Sequence, residues 1–122
     1  MTLLIICALA LALVQSWIIP MLFNLHNFNY LLSSRDEPAP EDSVKLGRAR
    51  RAAVNLQESL PAFLTLAILS MVLEVDNTEL AMWWLCFRAA FVVSYLLGIT
   101  YVRTLLWTGS LVCLVMMAVG LL

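Results

Sequence analysis

Arg51, Asn55 and Glu58 follow one another at spacings of four and three. On an α-helix these spacings fall on one face, with Arg48 one turn earlier. Such a stripe of guanidinium, amide and carboxylate can grip acids, amides and amines in turn. Three residues beyond Glu58, Pro61 removes a backbone donor and presses on the carbonyl of Gln57. The pattern therefore predicts a kink that leaves this carbonyl open to a ligand or water. A second set, Arg88, Phe91 and Tyr95, repeats at three and four, and Arg103 follows. Arg88 lies within an apolar stretch, where an ionised group in mid-bilayer costs about 2.5–3.5 kcal/mol unless it is paired or wet. It is expected to meet Glu58. With Arg103 adding a cation, the groups converge as a pocket for a small anionic ligand.

Positioning these groups is a task for helices in lipid. Of the 122 residues 63% are hydrophobic and 12% charged, about half the charged share of a soluble domain. A mean hydropathy of +0.95 is more apolar side chain than one water-facing globule of this size can hide. A bilayer core takes about 20 residues per helix, so the length admits about four spans and one modest loop. The expected spans are approximately 2–25, 45–75, 79–98 and 103–122, with a loop over 27–44, all in a single domain over 1–122. The first is uncharged and lacks a positive leader and a cleavage site, so it reads as a mature helix. Pro38, Pro40 and the run Arg35, Asp36, Glu37 mark the loop. Asp42 or Ser43 is expected to cap the second helix, Thr78 the third, and Gly98 to end the third. Short connections make successive helices antiparallel. The fold class expected is thus an all-α membrane protein, an antiparallel four-transmembrane-helix bundle.

Five of the seven lysines and arginines lie between Arg35 and Arg51, and Arg103 is on the same side. The positive-inside rule puts that side, with the 27–44 loop, in the cytoplasm and both termini outside. The lack of a basic retention-like tail leans toward a bacterial inner membrane. The net charge of −1 and a pI near 5.7 offer no field for nucleic acid. Cys7, Cys86 and Cys113 sit apart in apolar runs and His26 stands alone, so no metal site is expected.

The stretches RARRAAVNLQESLP, Arg48 to Pro61, and RAAFVVSYLLGITYVRT, Arg88 to Thr104, resemble the MAPEG family, the membrane-associated proteins of eicosanoid and glutathione metabolism. The resemblance implies a homotrimer with glutathione as co-substrate, bound between neighbouring subunits on the cytoplasmic side. A lipophilic small molecule would arrive from the membrane lipid. Carried over by position, Arg51, Asn55, Glu58, Arg88 and Tyr95 would contact glutathione, and Arg103 would be the catalytic cation. Glutathione has two carboxylates and one ammonium, which suits bidentate arginine and Glu58, with Asn55 supplying both donor and acceptor. A free thiol has a pKa near 8.5, and a guanidinium at a helix N-terminus lowers it, exposing a thiolate for attack on an electrophile. Phe91, Trp83, Trp84 and Trp107 would form the lipid-side wall for that electrophile, although packing or interfacial anchoring explains each of these aromatics singly. The chain departs from the family at the loop end of the first helix, where His26, Asn27, Asn29 and Tyr30 replace a basic residue, and at Ser59 and Phe91. Because the family also holds a non-enzymatic lipid binder, the alternative is a non-catalytic lipid-binding or scaffold protein.

Overall fold

The computed structural model describes residues 1–23 and 44–122. The 27–43 part of the loop, the Asp42 or Ser43 cap, and His26, Asn27, Asn29 and Tyr30 lie outside the described residues. The first rod is helical from α1 (Thr2–Leu13) through a π turn (Val14–Ile18) into α2 (Ile19–Phe23). Three longer helices follow: α3 (Val44–Val72), α4 (Thr78–Leu97) and α5 (Thr100–Gly120). The described chain is an all-α bundle of four antiparallel rods. Gly47–Val72, α4 and α5 are each long and apolar enough to cross a membrane, and Thr2–Ile18 is a shorter apolar helix. Leu3, Trp17, Leu105, Val115 and Val119 all point outward, an exterior suited to hydrocarbon rather than water.

What α3 turns inward follows from its spacing. Ala49, Ala52, Ala53, Leu56, Phe63, Ala67 and Ser70 are buried, at the steps of three and four that make one helical face. Four of the seven are alanine, and small residues let helix backbones approach closely where lipid offers no hydrophobic drive. Phe63 then stacks on Trp84 of α4, ring centroids 3.9 Å apart and planes 7° off parallel. Between α4 and α5 the backbone also comes close. A Cβ on Gly109 would lie 3.1 Å from the Phe87 ring.

Helix α3 carries Pro61 without interruption. The Pro61 carbonyl accepts a 2.8 Å hydrogen bond from the Thr65 hydroxyl, whereas the carbonyl whose helical donor the proline removes is that of Gln57, one turn earlier.

Both α3 and α4 end in the same way. Val75 N–H donates to Ser70 O and Glu74 N–H to Met71 O, and Ile99 N–H to Ser94 O and Gly98 N–H to Tyr95 O. These are Schellman closures, which need a left-handed residue just past the helix. Gly98 supplies it at φ +76°, but after α3 the position is Glu74, at φ +56°. In the next turn Asn77, not Thr78, occupies the N-cap of α4. Thr78 N–H is instead held by Asp76 Oδ1 at 3.1 Å, because the carboxylate two residues back reaches that donor. Asn77 is buried and donates through Nδ2 to Ser70 Oγ at 2.9 Å and to Met117 O at 3.3 Å. One amide thus ties α3, α4 and α5 together.

Two measurements check these ends. Gly98→Ala places a Cβ 2.9 Å from Arg48 Nη1 in a left-handed conformation that costs a non-glycine residue about 1–2 kcal/mol. Its thermal midpoint in detergent falls, whereas Glu74→Gly, which relieves the same conformation, raises it. The Thr78 side chain and its backbone N–H hold the Asp76 carboxyl below its ordinary value of 3.8. A depressed carboxyl contributes stability above that value and loses it as pH falls through the folded one. Asp76→Asn therefore flattens the acid limb of stability below about pH 4, read by thermal melts against pH.

Candidate functional site

Helix α3 carries its polar residues mainly in its first half. Arg50, Arg51, Val54, Asn55 and Glu58 line an open hollow of about 350 Å³ on the side of the bundle. Arg51 and Glu58 are exposed and Asn55 is half-buried, so the stripe read from the spacing lies along one wall. Arg50, at the same end, is a member of this wall that the stripe did not include. The wall carries guanidinium groups and one carboxylate, group types that match an anion that also carries an ammonium.

From α4, Tyr95 reaches the top of this wall. Arg51 Nε donates to the Tyr95 hydroxyl oxygen at 3.2 Å, and the Arg103 guanidinium carbon lies 4.7 Å from the Tyr95 ring centroid. Arg103 is in the first turn of α5, which begins at Thr100. The phenol therefore sits between two cations from two other helices. Since its oxygen accepts from Arg51, the phenolic proton is left to donate to a third group. Arg48, one turn before Arg51, lies over Gly98 at the end of α4, where the carbonyls of a helix terminus attract a cation.

Arg88 is placed differently. It is 1% exposed and does not line the hollow. Its partner is not Glu58: Nη2 donates to Asn55 Oδ1 at 2.9 Å, and its guanidinium carbon lies 4.7 Å from the Phe91 ring centroid. Glu58 points out of the subunit, one turn along α3 from the amide that intercepts Arg88. A guanidinium has five donors and no acceptor, so the amide oxygen must face it. Asn55 then has its NH2 group and the second lone pair of Oδ1 to offer a ligand.

Residues that the spacing did not single out are Gln15, Ser16 and Gln57. Gln57 Nε2 donates to Ser16 Oγ at 2.6 Å, joining the first rod to α3, and Gln15 is 1% exposed. The available signal was a pair of polar residues in an otherwise apolar span, four and five positions before Pro20. Phe91 and Trp84 are buried in the subunit, while Trp83 and Trp107 are exposed. Among the described residues no cluster of His, Cys, Asp or Glu could hold a metal ion. The three cysteines are free.

A model of the MAPEG family matches residues 3–122, and the chain belongs to that family. It is an integral membrane protein of a family of glutathione and eicosanoid metabolism. No curated protein and no solved structure matches it.

The amide geometry is testable in a ligand-binding titration. Asn55→Asp keeps a partner for Arg88 but turns the donor facing the hollow into an acceptor, and weakens binding of an anionic ligand at least tenfold, about 1.4 kcal/mol. Asn55→Gln, which keeps the amide, loses less.

Proposed function

We propose that the protein is a glutathione-dependent transferase or peroxidase acting on lipophilic electrophiles in the membrane. The observation that carries this is the Tyr95 phenol held between Arg51 and Arg103 beside a hollow with Asn55 and Glu58 on its wall. In this reading Arg51 binds a carboxylate of glutathione, Glu58 its ammonium, and the Asn55 amide a peptide or carboxylate group. Arg88 acts from behind by fixing the Asn55 amide. The thiol lies toward Tyr95 and Arg103. Its proton leaves to solvent, the guanidinium and the phenolic O–H stabilise the sulfur anion, and a lower thiol pKa raises the thiolate fraction at pH 7. In conjugation the sulfur forms a bond to the electrophilic carbon, and the bonding pair of that carbon departs with the leaving group or becomes an anion that Tyr95 protonates.

The hollow is open toward the outside of the subunit, and a second copy of the chain could close it, in keeping with a homotrimer whose ligand lies between subunits. We take residues 1–122 as one transmembrane domain. The arginines at 48, 50, 51 and 103 gather at one end of the bundle, and Glu74, Asp76 and Glu79 at the other. That charge split supports an orientation with the 27–44 loop in the cytoplasm, as for a bacterial inner-membrane protein.

Glutathione titrated into the detergent-purified protein is expected to bind saturably and to raise the thiolate absorbance near neutral pH. Arg103→Ala should abolish the thiolate signal and cut conjugation of a lipophilic electrophile at least a hundredfold, about 2.7 kcal/mol, with glutathione still bound through α3. Full conjugation in that variant would remove Arg103 from the chemistry. No binding up to millimolar glutathione would favour a lipid-binding or scaffold role instead.

A further inference from the structure

Phe91 forms no bond in the proposed reaction, and it is not on the lipid side, where the family resemblance would put it. It is 3% exposed and stands on α4 between two residues of the site. The Arg88 guanidinium carbon lies over its ring, 4.7 Å from the centroid. One turn further on, the Tyr95 ring centroid is 5.5 Å from that of Phe91, with the planes at 53°. Tyr95 in turn carries the Arg103 guanidinium over its own face, also at 4.7 Å. Cation, ring, ring and cation thus touch in succession from the middle of α4 to the first turn of α5.

Each contact has a physical cause. Steps of three and four put Arg88, Phe91 and Tyr95 on one face of α4. A ring face is electron-rich and its edge is positive, so a guanidinium settles over the face and neighbouring rings tilt against each other. Phe91 is the aromatic member of the buried cluster it forms with Ala52 and Val92, and Tyr95 packs against that cluster. Tyr95 itself is only half-buried. Its ring is held by Phe91 behind it and by Arg51 at the hydroxyl. Arg88 is held by the Phe91 face and by the Asn55 amide in the wall of the hollow. Phe91 therefore joins the part of the site that grips the ligand to the part that seats Arg103.

We propose that Phe91 is a positioning residue for the thiol chemistry, one that holds Arg88 toward Asn55 and the Tyr95 ring beneath Arg103. The effect on rate rests on the glutathione reading; the contacts do not. The aromatic ring matters beyond its apolar bulk, because a branched aliphatic side chain fills similar space but has no electron-rich face to offer a cation. Without the ring, Arg88 loses one of its two contacts and Tyr95 its support. The Arg103 guanidinium then leaves the position from which it stabilises a sulfur anion.

Two measurements on the full chain in detergent test this, the first without any thiol. 3-Fluorotyrosine at position 95 gives a fluorine resonance that senses the cation over its ring. Arg103→Ala is expected to shift that resonance in the otherwise unaltered protein, and less than half as far when Phe91→Leu is also present. Phe91→Met takes its place where Phe91→Leu does not fold. Equal shifts with and without the Phe91 ring would overturn the proposal, whatever ligand the protein binds. In the second measurement, Phe91→Leu is expected to raise the pH midpoint of thiolate formation in bound glutathione and to lower kcat for conjugation at least tenfold. Fluorinated phenylalanines at position 91 keep the shape of the ring while draining its face, and should raise the glutathione Kd in step with the number of fluorines. Val92→Ala, a cavity in the same cluster, lowers the thermal midpoint and moves neither quantity. A Kd and a thiolate midpoint that respond to Val92→Ala as they do to the Phe91 variants would reduce Phe91 to packing. Failure of the unaltered protein to bind glutathione would sink the glutathione reading and leave the fluorine resonance to decide the role of Phe91.

Discussion

The bundle is organised around a guanidinium that lipid cannot solvate. Arg88 lies near the middle of α4, 1% exposed, where an unpartnered cation is among the most expensive groups a span can carry. Much around it can be understood as a response. Asn55 of α3 turns its amide oxygen inward to accept from Nη2, and the Phe91 ring presents its face to the charge. By bonding the oxygen, Arg88 also orients the Asn55 amide in the wall of the outer hollow. A buried residue thereby bears on the hydrogen bonding of a residue in the wall of the hollow.

Packing on the two sides of that residue is divided by composition. Toward the turn between α3 and α4 the core is aromatic and aliphatic, with Phe63 on Trp84, and Ala67, Ala81, Cys113, Leu114 and Met117 around them. It is closed by the Asn77 amide bonded to α3 and α5. Toward the loop end the buried cluster shrinks to Ala52, Phe91 and Val92, and arginines crowd the periphery. Rigid packing at one end and charged, partly open surface at the other suits the proposed function, in which a polar thiol would enter from water and an apolar electrophile from lipid.

The site depends on helix ends as much as on helix faces. Arg103 meets the Tyr95 ring because α4 stops at Gly98 in a left-handed turn and α5 restarts at Thr100. That reversal brings the first turn of α5 back beside the last turn of α4. Arg48 fills the space left by the missing Cβ of Gly98, so the same glycine shapes both the turn and the seat of a neighbouring cation. Where α3 ends, Glu74 takes the left-handed position at a conformational cost, away from the site.

Composition and periodicity alone determined that this chain is an all-α bundle of apolar helices, and placed Arg51, Asn55 and Glu58 on one face of α3. These are local properties: hydropathy depends on the count of side chains, and a helical face on steps of three and four along one strand of sequence. The motifs around Arg51 and Arg103 pointed to the MAPEG family for the same reason, since they are short and contiguous. The partner of Arg88 was not legible. Glu58 and Asn55 are three residues apart on neighbouring parts of one face, and which of them meets a guanidinium from α4 depends on the rotation and depth of two packed helices. The burial of Gln15 and its π turn were equally hidden, because neither a lone polar residue in an apolar span nor a proline four or five residues later reveals which way the side chain faces. Tertiary packing decided these points, as it alone brings residues dozens of positions apart within hydrogen-bond distance and sets which polar atoms are left without a partner.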